Sequence, residues 1–170
     1  MLIRLATQED IPALMALVRR VVLLMRAAGN LQWDEKYPNE AVFEQDIALT
    51  QLWISDIDGS IAGVAALTMD QEPEYAQVGW DLNERAIVVH RLAVDPVFRG
   101  AGVASALMQK AEELAVERSI TVLRVDTNTQ NEATQQLFPK LGYLLAGQIG
   151  LSIRPGLRFL CYEKRLHTEG

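Results

Sequence analysis

Cysteine and histidine are nearly absent from this chain of 170 residues. Cys161 is the only cysteine, so no internal disulfide can form and a thiolate metal cage is excluded. His90 and His167 are the only histidines, which argues against a histidine-rich centre, and no metal is expected. Positive charge is also in deficit. Sixteen Lys and Arg face 22 Asp and Glu, a net −6, so no nucleic-acid partner is expected from bulk electrostatics. Long apolar runs are missing. The longest, Val21 to Met25, is bracketed by Arg20 and Arg26 and is too short to cross a bilayer. The first residues, Met1 to Leu5, lack the basic-then-apolar layout of a signal peptide. A cytoplasmic protein without membrane contact is the expectation. Repeats, low-complexity tracts and Gly/Ser/Pro linkers are missing too, which predicts one domain over residues 1–170.

What is present reads as alternating strands and helices. Leu2 to Leu5 suits a short strand. Ile11, Leu14, Val18, Val21, Met25 and Ala28 recur at steps of three and four, one face of a helix that Thr7 or Asp10 can cap. Pro12 fits the first turn, and Gly29-Asn30 ends the helix. Residues 31–39 are irregular, and a short helix follows from Glu40 to about Leu49. Two strands, 51–57 and 60–69, flank Asp58-Gly59, a favoured two-residue hairpin turn. Residues 70–85 read as a polar loop or strand extension.

The segment 86–94, almost continuously apolar, predicts a central strand covered on both faces. A glycine-bearing turn, a helix over 103–117 and a strand over 121–125 complete a βαβ unit, so its two strands should be parallel. A helix over 132–141, bent or broken near Pro139, and strands 143–149 and 158–164 close a mixed α/β sheet.

The chemistry concentrates in Arg99, Gly100, Ala101, Gly102, Val103 and Ala104, between the central strand and a helix. Two glycines let backbone amides approach a ligand, and the helix start adds unpaired N–H groups that favour phosphate. A plain tight turn is the alternative. A P-loop is excluded because Gly-Lys-Ser/Thr is missing, and the dinucleotide fingerprint fails because residue 105 is Ser105 rather than glycine.

Leu92-Ala93-Val94-Asp95-Pro96, followed by Arg99-x-x-Gly102-x-Ala104, resembles the acetyl-CoA signature of the GCN5-related N-acetyltransferase (GNAT) superfamily. Asn131-Glu-Ala133 with Leu137-Phe138-Pro-Lys140-Leu141-Gly142-Tyr143 is similar to that family's later Asn-x-x-Ala and Tyr-x-Lys-x-Gly-Phe segment. The start, Ile3-Arg4-Leu5-Ala6-Thr7, resembles the family too, and the likeness spans about residues 2–165. It implies a mostly antiparallel mixed sheet of about seven strands and about four helices, with a splayed parallel central pair.

The resemblance further implies an acetyl-CoA-dependent N-acetyltransferase acting directly on an amine of a small molecule or peptide. A catalytically silent acyl-CoA-binding sensor or interaction module stands as the alternative. Amides of residues 99–104 would hold the pyrophosphate, and Leu92, Ala93 and Val94 would pair with the pantetheine arm. A Leu92 N–H would polarise the thioester carbonyl. Asn131 would reach the arm, or simply cap its helix. Phe138 stands where many relatives carry a proton-donating tyrosine, and it either packs on the arm or belongs to the core. Relatives are often dimers, which leaves a homodimer open.

The general base is not set by the pattern, because the 86–94 strand carries no Asp or Glu. His90 lies two residues from Leu92, on the same face under regular alternation, and a histidine suits a base near neutral pH. A buried, inert histidine is the alternative. Glu84, just before the strand, is the second candidate, acting through water. Trp33, Tyr37, Tyr75 and Trp80 offer aromatic walls for an amine, unless they pack into the core or a dimer contact.

Overall fold

The computed structural model describes residues 1–167. The chain forms two compact units, each built from two stretches. The first comprises Met1–Leu67 and His90–Lys110, the second Thr68–Val89 and the chain from Ala111 onward.

In the first unit, β1 (Leu2–Leu5) leads through a short 3-10 turn into α1 (Ile11–Ala27). Thr7 and Asp10 form a capping box, in which the Thr7 N–H donates to Asp10 Oδ2 at 2.8 Å. Pro12 falls in the first turn, where its missing N–H costs nothing. The helix buries Ile11, Leu14, Val18 and Val21 of the predicted face together with Leu17 and Val22, whereas Met25 is only half-buried and Ala28 lies exposed beyond the helix end. Gly29, at φ 81°, turns the chain away. A loop leads to α2 (Glu40–Ala48), whose Asn39 side chain accepts from the Val42 N–H at 3.0 Å.

The strands β2 (Leu52–Ile57) and β3 (Ser60–Thr68) form the expected hairpin. Asp58 and Gly59 both have positive φ, 51° and 86°, the geometry that suits a two-residue turn between twisted strands. Leu14, Leu17, Trp33, Phe43, Leu52, Ile54 and Val64 share one core. The strand β4 (Ile87–Val94) is common to both units, with His90–Val94 in this one; α3 (Val103–Glu117) follows it and is likewise divided, with Val103–Lys110 in this unit. Gly63 in β3 lets α3 pack closely. A Cβ there would meet Val103 Cγ1 at 2.5 Å and the Ala93 carbonyl at 3.0 Å.

The second unit holds a 3-10 segment at Pro73–Val78, then Ile87–Val89 of β4. It continues with β5 (Val122–Asn128), α4 (Glu132–Lys140), β6 (Leu144–Leu151) and β7 (Arg154–Arg165). Residues 70–85 are therefore not a plain loop. Pro73 and the buried Tyr75 anchor a helical turn there. Nor does Pro139 break α4, which runs on through it to Lys140. Tyr75, Trp80, Val88, Val122, Ile149, Phe159 and Cys161 make up the core. Burial pushes the Cys161 thiol up to about 12, as an inert core cysteine requires.

The strands follow the order β1-β2-β3-β4-β5-β7-β6 in one mixed sheet flanked by helices. β4 and β5 are parallel, registered from Ile87↔Leu123 to Val89↔Val125, as the βαβ reading requires. β1–β2, β2–β3, β5–β7 and β6–β7 are antiparallel. Among the described residues no helix is long and apolar enough to cross a membrane.

Candidate active site

The end of β4 and the start of α3 make the most specialised backbone of the first unit. Asp95 ends the strand. Its N–H donates to the Ala62 carbonyl at 2.8 Å, and its carboxylate accepts from the Val97 N–H at 3.0 Å. Arg20 of α1 donates Nε and Nη2 to the same carboxylate at 3.1 and 2.5 Å, which fixes where the chain leaves the sheet.

The turn after it is partly self-satisfied. The Arg99 N–H donates to Pro96 O at 3.2 Å and the Ala101 N–H to Phe98 O at 3.1 Å. Helical bonding in α3 begins with the Ala106 N–H on Gly102 O at 3.0 Å. Among the described residues, no hydrogen bond engages the N–H groups of Gly100, Gly102, Val103 or Ala104. Gly100 and Gly102 have φ of 84° and 78°, which only glycine adopts cheaply, and a Cβ at either would meet nothing within 4 Å. No acidic residue lies in the first turn of α3 to neutralise the positive end of its dipole. Free amides, open space and a helix start together fit a diphosphate.

Upstream, His90, Leu92 and Val94 are half-buried and Ala93 is buried. Arg91 has φ 55°, so the regular alternation that would put His90 and Leu92 on one face is interrupted between them. The Arg91 guanidinium grips Asp46 of α2 and the Tyr37 hydroxyl. Sequence reasoning missed this cluster, since neither a left-handed residue in a strand nor an acid in α2 leaves a motif. Tyr37 is half-buried in a loop that Asp34 organises, its carboxylate accepting from the Lys36 and Tyr37 N–H groups at 2.7 and 2.9 Å. Trp33 is only 2% exposed and belongs to the core, so it presents no wall to a ligand in this conformation.

The second unit holds the other candidates. Tyr75 is 0% exposed and packs edge-on against Trp80, ring centroids 5.0 Å apart. Both rings are core, the alternative reading of these aromatics. The Tyr75 hydroxyl donates to Asp126 of β5 at 2.5 Å. Burial lifts the Asp126 carboxyl to about 6, with Glu72 and Glu74 adding to the rise. Sequence reasoning missed this pair too; Asp126 reads as an ordinary strand-end acid.

Asn131 caps α4, its Oδ1 accepting from the Thr134 N–H at 3.2 Å. Phe138 is 1% exposed and packs against Tyr143 and Tyr162, centroids 5.9 and 5.5 Å away. Glu84 accepts from Arg165 at 2.7 and 3.0 Å and from Arg124 at 3.1 Å. The Arg165 hydrogen bonds hold its carboxyl below the usual glutamate range, which weakens it as a base.

The sequence pattern of the Acetyltransferase (GNAT) family matches residues 21–143, more than half of the chain. The chain belongs to this family. Human N-acetylaspartate synthetase is 26% identical over 112 residues, covering 66% of this chain and 33% of that protein. This chain thus spans about a third of the synthetase's length. An uncharacterised N-acetyltransferase of Bacillus subtilis, YesJ, is 25% identical over 146 residues, covering 84% and 81%. Among solved structures, a GNAT-family acetyltransferase of Streptococcus agalactiae is 30% identical with a TM-score of 0.81, covering 98% of this chain and 96% of that one. The fold is also shared with yncA of Salmonella typhimurium, solved with its cofactor acetyl-CoA, at 19% identity and a TM-score of 0.71, covering 100% and 96%. The GNAT fold expected from the motifs is the fold found, and membership supports an acyl-transfer enzyme.

Proposed function

We propose that this GNAT protein transfers the acetyl group of acetyl-CoA directly to an amine of a small molecule or peptide. The observation that carries the reading is the turn after β4. There the N–H groups of Gly100, Gly102, Val103 and Ala104 are unbonded at the start of α3, and the two glycines face open space. The names of the relatives agree with it.

Acetyl-CoA, when bound, supplies a thioester carbonyl carbon open to attack by a nitrogen nucleophile. The chain's residues do the rest. Gly100 and Gly102 bring amides to the diphosphate, and the α3 dipole adds favourable potential. Backbone groups of Leu92, Ala93 and Val94 hold the pantetheine arm as an added strand would. The Leu92 N–H donates to the thioester carbonyl oxygen, which gains negative charge as nitrogen attacks. An ammonium must lose a proton before it attacks, and His90 in β4 is the group assigned to accept it. Phe138 has no proton to give, so protonation of a leaving thiolate would fall to solvent rather than to this side chain.

The test is titration calorimetry with acetyl-CoA, CoA and ATP, followed by thiol release across a panel of amines. Wild-type protein should bind acetyl-CoA and CoA and release thiol with some amines. Gly102→Glu sets a carboxylate in the open space, and repulsion of the diphosphate should weaken acetyl-CoA by about a hundredfold. Unchanged affinity in Gly102→Glu, or binding of ATP alone, would overturn the reading. Tight acetyl-CoA binding with no thiol release from any amine would instead favour the silent module.

A further inference from the structure

Arg91 departs from its neighbours in β4. Among the described residues it is the only strand residue other than glycine with a left-handed φ. A residue with a Cβ is strained there, and such backbone persists where its surroundings hold it. The hold is a two-pronged ion pair. Arg91 Nε donates to Asp46 Oδ2 and Nη2 to Asp46 Oδ1, both at 2.7 Å, while Nη1 donates to the Tyr37 hydroxyl at 3.2 Å. Asp46 is 2% exposed and also accepts from Gln51 Nε2 at 2.9 Å. It sits in the last turn of α2, where the dipole disfavours a carboxylate and no basic residue of that helix compensates. Such a site suits a carboxylate only if a cation reaches it from elsewhere. Arg91 supplies that cation, and the fork geometry fixes the plane of its guanidinium.

The peptide unit joining Arg91 to Leu92 carries the Leu92 N–H, so rotation at Arg91 re-aims that donor. We propose that Arg91 is a positioning residue for acetyl transfer. Its fork on Asp46 pins the kink in β4, and the kink aims the Leu92 N–H at the thioester oxygen. The inference rests on the acetyl-transfer reading above. The same guanidinium seats Tyr37, so the loop at 31–39 and the backbone of β4 share one anchor.

The experiment compares Arg91→Ala with Arg91→Gly. Four quantities are read: melting temperature, kcat and KM well below the melting transition, acetyl-CoA affinity by calorimetry, and the Leu92 amide resonance in 15N spectra of the ligand-free protein. In Arg91→Ala, kcat should fall by about tenfold or more, while acetyl-CoA affinity falls by clearly less than kcat, because the diphosphate turn at 99–104 is untouched even though the Leu92 contact to the thioester end is weakened. The Leu92 resonance should move. Arg91→Gly should recover part of kcat, because glycine keeps the left-handed φ without the Cβ penalty. Should Arg91→Ala fail to fold, Arg91→Lys replaces it, keeping the charge but losing the fork, with the same expected split.

The proposal is overturned if both variants melt earlier yet keep wild-type kcat and an unmoved Leu92 resonance; the pair is then only structural glue. Failure of the acetyl-transfer reading looks different. Wild-type protein would then give no heat with acetyl-CoA and release no thiol, and the proposal would fall with it.

Discussion

Two arginines on two strands, one buried and one half-buried, solve different problems. Arg124, in β5 of the second unit, is 0% exposed and sits in a regular strand. It donates to Glu163 Oε2 at 2.9 Å, Gln71 Oε1 at 2.6 Å, the Asp81 carbonyl at 3.0 Å and Glu84 Oε1 at 3.1 Å, and lies 5.0 Å from the Trp80 ring centroid. Those acceptors come from the polar segment 70–85 and from β7. Arg124 therefore organises a loop around an undistorted backbone. Arg91, in the first unit, spends its fork on one carboxylate and carries a strained backbone of its own. A guanidinium whose strand stays regular is explained by the charges and loop it satisfies. One whose strand is kinked calls for an account of the kink.

The largest expected effect breaks the first half of that contrast. Arg124→Leu leaves Glu163 without its buried partner and frees Gln71 and the Asp81 carbonyl. Losing one member of a buried pair costs about 3–5 kcal/mol, so the urea midpoint should drop sharply. At temperatures where the variant stays folded, kcat should remain within about twofold of wild type. If kcat falls as far as in Arg91→Ala, the two arginines do not differ in kind.

The contrast was only half visible in the sequence. Helices, strands and the Asp58-Gly59 hairpin were legible because burial imposes a period of about 3.6 or 2 on apolar positions. The turn at 99–104 was legible because its glycines stand between an apolar strand and a helix. Arg91 was not, because φ at a single residue leaves the apolar pattern of β4 intact. Asp46 lies 45 residues from Arg91, Asp126 51 from Tyr75, and the side-chain partners of Arg124 39 or more from it, and no local spacing announces them. The aromatics of residues 31–38 and 70–81 were ambiguous for a related reason. Composition says that a ring will be covered, but not whether protein or ligand covers it.

Asp126 gives the next effect, and inverts the arginines' situation. It shares the face of β5 with Arg124 under strand alternation, yet its hydrogen bond comes from the neutral Tyr75 phenol rather than a guanidinium. Its carboxyl is raised to about 6 from 3.8. A raised acid binds its proton more tightly folded than unfolded. Its contribution therefore favours the fold below about pH 4 and is lost as pH rises to about 6, on the order of 2–3 kcal/mol. Asp126→Asn keeps an acceptor for Tyr75 and removes the titration. The wild-type melting temperature should decline across this window relative to that of Asp126→Asn. Parallel curves would mean that Asp126 is ionised in the fold much as it is in the unfolded chain.

The smallest effect tests whether Glu84 is anything more than a partner to Arg124 and Arg165. Its side chain is 35% exposed beside Arg165 and 3.1 Å from Arg124, so water screens the charge. Its depressed pKa contributes stability that is present above the ordinary glutamate range and lost as pH falls through the lowered value. Glu84→Gln should therefore cost no more than about 1 kcal/mol at pH 7 and still less in acid. Arg124 keeps Glu163, Gln71 and the Asp81 carbonyl, so the loop it organises should hold. The pH–rate profile should be unchanged, because a carboxylate committed to two guanidinium groups is a weak proton acceptor. A profile whose acid limb shifts in Glu84→Gln would move the proton-accepting role from His90 to Glu84. The surroundings of Arg124 would then be catalytic as well as structural.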